Sequence, residues 1–136
     1  MIFLLDTNIL IYWIKNHPPQ LAERIDALDS NDGLAMSFIT WAELLQGAEG
    51  SRRREATRRQ LDRLAQQVPV LYPESSEICR HYAQQALALK QRGTPIGAND
   101  LWIACHALAL GARLVSHNTR EFARIDGLRL EDWASS

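Results

Sequence analysis

The sequence predicts an α/β fold with a mainly parallel central sheet of four to five strands and helices on both faces. Three observations carry that expectation. The runs Ile2-Phe3-Leu4-Leu5 and Leu34-Ala35-Met36-Ser37-Phe38 are nearly continuous in apolar residues, as strands buried on both faces are. Segments with helical spacing separate such runs. Strand and helix then alternate to the end of the chain, the order in which crossover helices bring parallel strands together.

Residues 2–5 read as the first strand, and Thr7 to Lys15 as a helix with Ile9, Leu10, Trp13 and Ile14 on its apolar side. Pro18-Pro19 breaks it, and Leu21 to Leu28 makes a second short helix. Asp32-Gly33, a strong turn dipeptide, leads into strand two, residues 34–38. A helix starts at Thr40 and loosens at Gly47-Ala48-Glu49-Gly50-Ser51. Residues 52–67 form a polar, arginine-loaded helix with Leu61, Leu64 and Ala65 inward. Val68-Pro69-Val70-Leu71-Tyr72 is a short strand, and Pro69, with no N–H to give a ladder, favours a sheet edge or a strand start. Glu77 to Arg92 is a helix carrying Ile78, Tyr82, Ala86 and Leu89, and Gly93 stops it. Asp100 to Leu110 is the most apolar helix, closed by Gly111 at the C′ position. Arg113 to Ser116 is strand four, and Leu128-Arg129-Leu130 a short fifth. Without repeat or linker, residues 1–136 are expected to make one domain.

Composition bounds the function. With 46% hydrophobic residues in 136, the chain can bury a proper core. A net charge of −1 does not announce nucleic acid, yet Arg52, Arg53, Arg54, Arg58, Arg59 and Arg63 crowd one segment. That segment has three readings: a solvated helix face, a phosphate-binding surface, or a contact for an acidic partner. Cys79 and Cys105 lack metal spacing and suit buried thiols in a reducing cytoplasm. The apolar start is interrupted by Asp6 and Asn8, and no run approaches the roughly 20 apolar residues of a membrane span. A soluble cytoplasmic protein is expected.

Three acids sit where an apolar strand gives way to a helix. Asp6 ends the first run, Glu43 follows the second across Thr40-Trp41-Ala42, and Asp100 opens the apolar helix after Pro95-Ile96-Gly97-Ala98-Asn99. A parallel sheet gathers such positions along one edge, where this fold class binds ligands. Carboxylates collected there repel one another unless a cation lies between them, and magnesium, a hard ion taking oxygen ligands, suits the place. Each acid also has a bland reading. Glu43 would complete a capping box with Thr40, Asn118 and Glu121 would repeat one after strand four, and Asp100 would favour a helix dipole. Asp6 resists that account best, because burying an unpaired carboxylate is costly. The coincidence of all these positions on one edge favours function.

Leu4-Leu5-Asp6-Thr7-Asn8, Ser37-Phe38-Ile39-Thr40-Trp41-Ala42-Glu43-Leu44, the segment 95–104 and Leu114-Val115-Ser116-His117-Asn118-Thr119-Arg120-Glu121-Phe122 resemble, in order, the motifs of PIN-domain ribonucleases. The last of these, with Gly127 to Trp133, is similar to the VapC-type toxins of bacterial toxin–antitoxin pairs. The resemblance covers essentially the whole chain. It implies a magnesium-dependent endoribonuclease, with manganese a possible substitute, usually dimeric, held inactive by a small cognate antitoxin. Transfer RNA or another structured RNA is its implied target class, and halted translation the implied outcome. Asp6, Glu43 and Asp100 match the family's acidic metal-site positions. Asn118 falls where a fourth acid often stands, and Glu121 either compensates or caps a helix. Thr7 matches a polar position beside the first aspartate.

Magnesium would lower the pKa of a bound water and neutralise charge on phosphoryl oxygens, with Asp100 or Glu43 orienting the water or accepting its proton. His106 lies in the apolar helix and reads as packed or surface; His117 is near enough to touch RNA. A metal-dependent phosphatase of the haloacid-dehalogenase type would want a second aspartate where Asn8 stands. A non-catalytic α/β binding module, its acids serving only as caps, is the other alternative.

Overall fold

The computed structural model describes residues 1–135, and the elements among them run β1 (Ile2–Leu5), α1 (Thr7–Ile14), α2 (Pro19–Asp26), β2 (Gly33–Ser37), α3 (Phe38–Glu49), α4 (Arg54–Gln67), β3 (Val70–Leu71), α5 (Glu77–Gln91), α6 (Ala98–Leu110), β4 (Arg113–Val115), α7 (Thr119–Phe122) and β5 (Leu130–Glu131). The five strands lie in the order β3-β2-β1-β4-β5, and every neighbouring pair is parallel. The expected "mainly parallel" sheet is therefore wholly parallel.

β1 is central because both of its faces are apolar. Leu4 turns into one core with Ala35, Leu114, Ile103 and Phe122, beneath α5, α6 and α7. Phe3 and Leu5 turn into the other with Met36, Leu10, Leu21, Leu61 and Trp133, beneath α1 to α4. Leu4 and Leu5 are fully buried. Truncating either to alanine removes about 2–5 kcal/mol.

Several boundaries differ from the sequence reading, for local reasons. Ser37, not Thr40, caps α3: its Oγ accepts from Ile39 N at 3.2 Å. The strand therefore ends earlier, Phe38 joins the helix, and Thr40 is buried inside it. α3 continues through Gly47 to Glu49. Pro19 does not exclude its residue from helix; it occupies the start of α2, where a missing N–H costs nothing. β3 shrinks to Val70–Leu71 at the sheet edge, with Pro69 accepting from Met36 N through its carbonyl at 2.9 Å. β5 lies at Leu130–Glu131 rather than 128–130. Gly111 closes α6 with a left-handed φ of 64°, as expected of a C′ glycine.

The strand order reverses at β1: the chain leaves it for β2 on one side and later returns to β4 on the other. The crevice outside the carboxyl ends of β1 and β4 is such a sheet's ligand position. No helix among the described residues is long and apolar enough to cross a membrane.

Candidate active site

Asp6 stands at the mouth of that crevice. Its backbone N–H donates to Val115 O at 2.9 Å, which fixes it against the end of β4. The residue caps α1, Oδ1 accepting from Thr7 N at 2.8 Å, while Oδ2 accepts from Ser116 Oγ at 2.7 Å. Only 4% of Asp6 is exposed. Burial raises its pKa and the Glu43 charge adds to the rise, against the opposing hydrogen bonds from Ser116 and Thr7.

Ser116 ties the centre together. Besides holding Asp6, its Oγ accepts from Asn118 N at 2.9 Å. Asn118 Nδ2 in turn donates to Glu121 Oε2 at 3.2 Å and faces Asp100 Oδ2 at 3.4 Å. The expected capping box of Asn118 and Glu121 is absent: Asn118 makes no side-chain cap on α7 and directs its amide nitrogen at two acids. Asn118 thus presents a donor to both carboxylates.

Glu43 reaches the same edge from α3. Thr7 Oγ1 lies 2.8 Å from Glu43 Oε1 and 3.2 Å from Thr40 Oγ1. Its single proton goes to the carboxylate, the shorter and charge-assisted contact. Because Thr40 lies within α3, Glu43 is no capping-box partner, and its side chain turns to Thr7 instead. The bland explanation of Glu43 is removed.

Asp100 falls in the first turn of α6, whose N-cap, Gly97, offers no side chain. Its pKa is pushed up to about 6, first by burial and then by the charges of Asp6, Glu121 and Glu43; Asn118 opposes the rise. The second part of that rise reflects the nearby acids at the start of α1 and on α3 and α7. Among the described residues no three His, Cys, Asp or Glu side chains are closed up into a ready-made metal cage. A magnesium ion does not require one, since it keeps several waters and binds through one or two carboxylates plus substrate phosphate. The donors are all hard oxygens, and their mutual repulsion is what a cation would relieve.

Two features were missed in the sequence. Ser116 looked like an ordinary strand end, although a small hydroxyl beside the Asp6 strand was its signal. Ser37 does more than cap: His106 Nδ1 lies 2.8 Å from its Oγ, joining α6 to the start of α3. His106 is 1% exposed, and burial lowers its pKa, so it is packed rather than surface. His117 Nδ1 pairs with Asp132 Oδ2 at 3.1 Å, and its ring meets Tyr12 edge-on.

An all-parallel sheet with oxygen donors gathered at its switch point offers a place for a hard cation. The chain belongs to the PIN-domain family, whose model matches residues 3–128. It is 54% identical over 133 residues to Ribonuclease VapC1 of Haemophilus influenzae, spanning 98% of both chains. It is 38% identical over 133 residues to the tRNA(fMet)-specific endonuclease VapC of Shigella flexneri, covering 97% of this chain and 98% of that one. The VapBC-1 structure from nontypeable Haemophilus influenzae superposes with a TM-score of 0.94 at 53% identity, covering 99% of this chain and 100% of the other. Identity of this extent over nearly full lengths puts the chain among the VapC ribonucleases.

Proposed function

We propose that this chain, working as one nuclease domain over residues 1–136, is a magnesium-dependent endoribonuclease and the toxin of a toxin–antitoxin pair. The observation that carries the reading is the hydrogen-bonded chain through Thr7, Ser116 and Asn118 that gathers Asp6, Glu43, Asp100 and Glu121 at one crevice. Asp6, Asp100 and Glu43 would hold the ion, with manganese an acceptable substitute. The ion supplies charge neutralisation at the scissile phosphate and acidifies a water beside it. Thr7 keeps the Glu43 carboxylate aimed at the site, and Asn118 holds Asp100 and Glu121 apart as a neutral donor. Asp100 or Glu43 would orient the attacking water or accept its proton.

Biology follows from the relatives. A Shigella relative is named for action on tRNA(fMet), which favours structured RNA, and transfer RNA in particular, as the target. Cutting it would halt translation. A solved relative is a VapBC complex, which favours a small VapB-type antitoxin as the inhibiting partner. A homodimer working in the cytoplasm, where its RNA is found, completes the reading.

The test is expression without the neighbouring antitoxin, with RNA ends mapped across the transcriptome. A sharp set of new ends and arrested growth, both absent in an Asp6→Asn strain, is expected. Normal growth with unchanged RNA, despite soluble protein, would overturn the toxin reading.

A further inference from the structure

The acid cluster creates a difficulty for the substrate that the proposed function assigns to it. RNA is a polyanion, and Asp6, Glu43, Asp100 and Glu121 present negative charge to it. A bound cation answers that at the scissile phosphate alone, so the flanking phosphates need positive charge elsewhere.

The chain carries such charge in one segment. Six arginines, Arg52, Arg53, Arg54, Arg58, Arg59 and Arg63, lie between the end of α3 and the middle of α4, although the whole chain has a net charge of −1. All six are exposed: Arg54 and Arg58 lie beside α3, Arg59 faces away from the buried Leu61 and Leu64, and Arg63 borders Trp13 and Ile14 of α1. Arg54 lies 3.8 Å from Glu49 and Arg58 lies 3.4 Å from Asp62, pairs that are open to solvent and weak. Arg52, Arg53, Arg59 and Arg63 have no ion pair among the described residues. Two shallow, open depressions mark the segment, one formed by residues 51–56 and another by Ala48, Glu49, Arg54, Glu55, Arg58 and Arg59. Arginine alone offers the planar fork that grips phosphate through two hydrogen bonds.

The position fits the path of a strand. α3 begins at the catalytic edge and carries Glu43, and its last turn, at Glu49, lies roughly 9 Å further along the axis at about 1.5 Å per residue. The first turn of α4 lies against that last turn through the Arg54–Glu49 contact. We infer that the α3–α4 arginine surface binds the phosphate backbone of the RNA substrate outside the scissile bond. The contact is to backbone and reads no sequence. This inference rests on the RNA-cleaving reading above.

The test measures binding without cleavage. The full chain, in chelator, is titrated with a 30-nucleotide single-stranded RNA at a series of salt concentrations. Arg52→Gln, Arg53→Gln, Arg59→Gln and Arg63→Gln are combined, glutamine keeping helix propensity. The slope of log affinity against log salt should fall by up to about 3, at about 0.7 per lost phosphate contact, with affinity at low salt at least about tenfold weaker. A matching four-lysine variant should keep most of the slope, which separates lost charge from lost fold. If wild type and glutamine variant bind with equal affinity and slope, the inference fails while the nuclease reading stands. It fails in the same way if the glutamine variant loses only its grip on the antitoxin. Wild type that binds no RNA at all in chelator would also overturn the inference, while cleavage in magnesium is the separate test of the nuclease reading.

Discussion

Replacing Asp100 with asparagine should stabilise the protein while destroying its activity. Burial, with the charges of Asp6, Glu121 and Glu43 behind it, pushes the carboxyl from an ordinary 3.8 up to about 6, a difference worth roughly 3 kcal/mol before screening. Asp100 is only half-buried, so solvent screening reduces the usable part to about 1–2 kcal/mol. Losing a charge from the first turn of α6 returns about 0.3–1 kcal/mol to the helix dipole. The net gain at pH 8 is about 1 kcal/mol, or roughly 3–5 °C in Tm for a chain of this size. Because the folded-state pKa lies above the unfolded one, the folded form holds the proton more tightly between 3.8 and about 6, and wild-type stability falls as pH rises through that window. The advantage of Asp100→Asn should therefore be full above pH 6 and vanish near pH 4. Thermal unfolding of both proteins in chelator, at pH 4, 6 and 8, reads the effect directly. Magnesium added at pH 8 should raise the wild-type Tm more than that of the variant. An Asp100→Asn protein less stable than wild type at pH 8 would refute the reasoning and make Asp100 a helix-stabilising residue.

Other perturbations separate the roles around the site. Glu43→Gln keeps an acceptor for Thr7 Oγ1, so its stability should stay within about 1 kcal/mol of wild type while cleavage is lost; full activity would remove Glu43 from the metal site. Ser116→Ala strands the Asp6 carboxylate and the Asn118 N–H together, and should lower stability by about 1.5–3 kcal/mol in denaturant titrations and activity about 10- to 100-fold. Unchanged activity would reduce Ser116 to packing. Burial pushes the Cys105 thiol up to about 12, whereas Cys79 is exposed. A thiol reagent at pH 8 should label Cys79 quickly and Cys105 only after denaturation; fast labelling of both in the folded chain would contradict the burial. Asn118→Ala should reduce cleavage less than Asp6→Asn does, and an equal loss would make the amide a principal ligand.

Features that one stretch of chain decides were legible in the sequence. Asp6 was visible because an apolar run stops at it, Gly111 because a helix needs a left-handed residue there, and the edge position of β3 because Pro69 cannot donate to a ladder. Partnerships made by folding were not. Thr7 and Glu43 are 36 residues apart and Asp6 and Ser116 are 110 apart, and no local pattern announces either bond. The Thr40-x-x-Glu43 pattern was misleading for the same reason. Ser37 took the cap first, which left Glu43 free for a distant hydroxyl. The direction of the Asn118 amide was not legible either, since it depends on acids brought in from α6 and α7.

The central claim is that carboxylates at the β1–β4 crevice hold a divalent ion with which the chain cuts RNA. Cleavage of bulk transfer RNA by the purified chain, followed through chelation and stepwise return of magnesium, tests it most directly, with Asp6→Asn run alongside. The account predicts cleavage that stops with chelator, returns with magnesium or manganese, and never appears in the folded Asp6→Asn protein. Cleavage that persists in chelator, or that survives in Asp6→Asn, would contradict it.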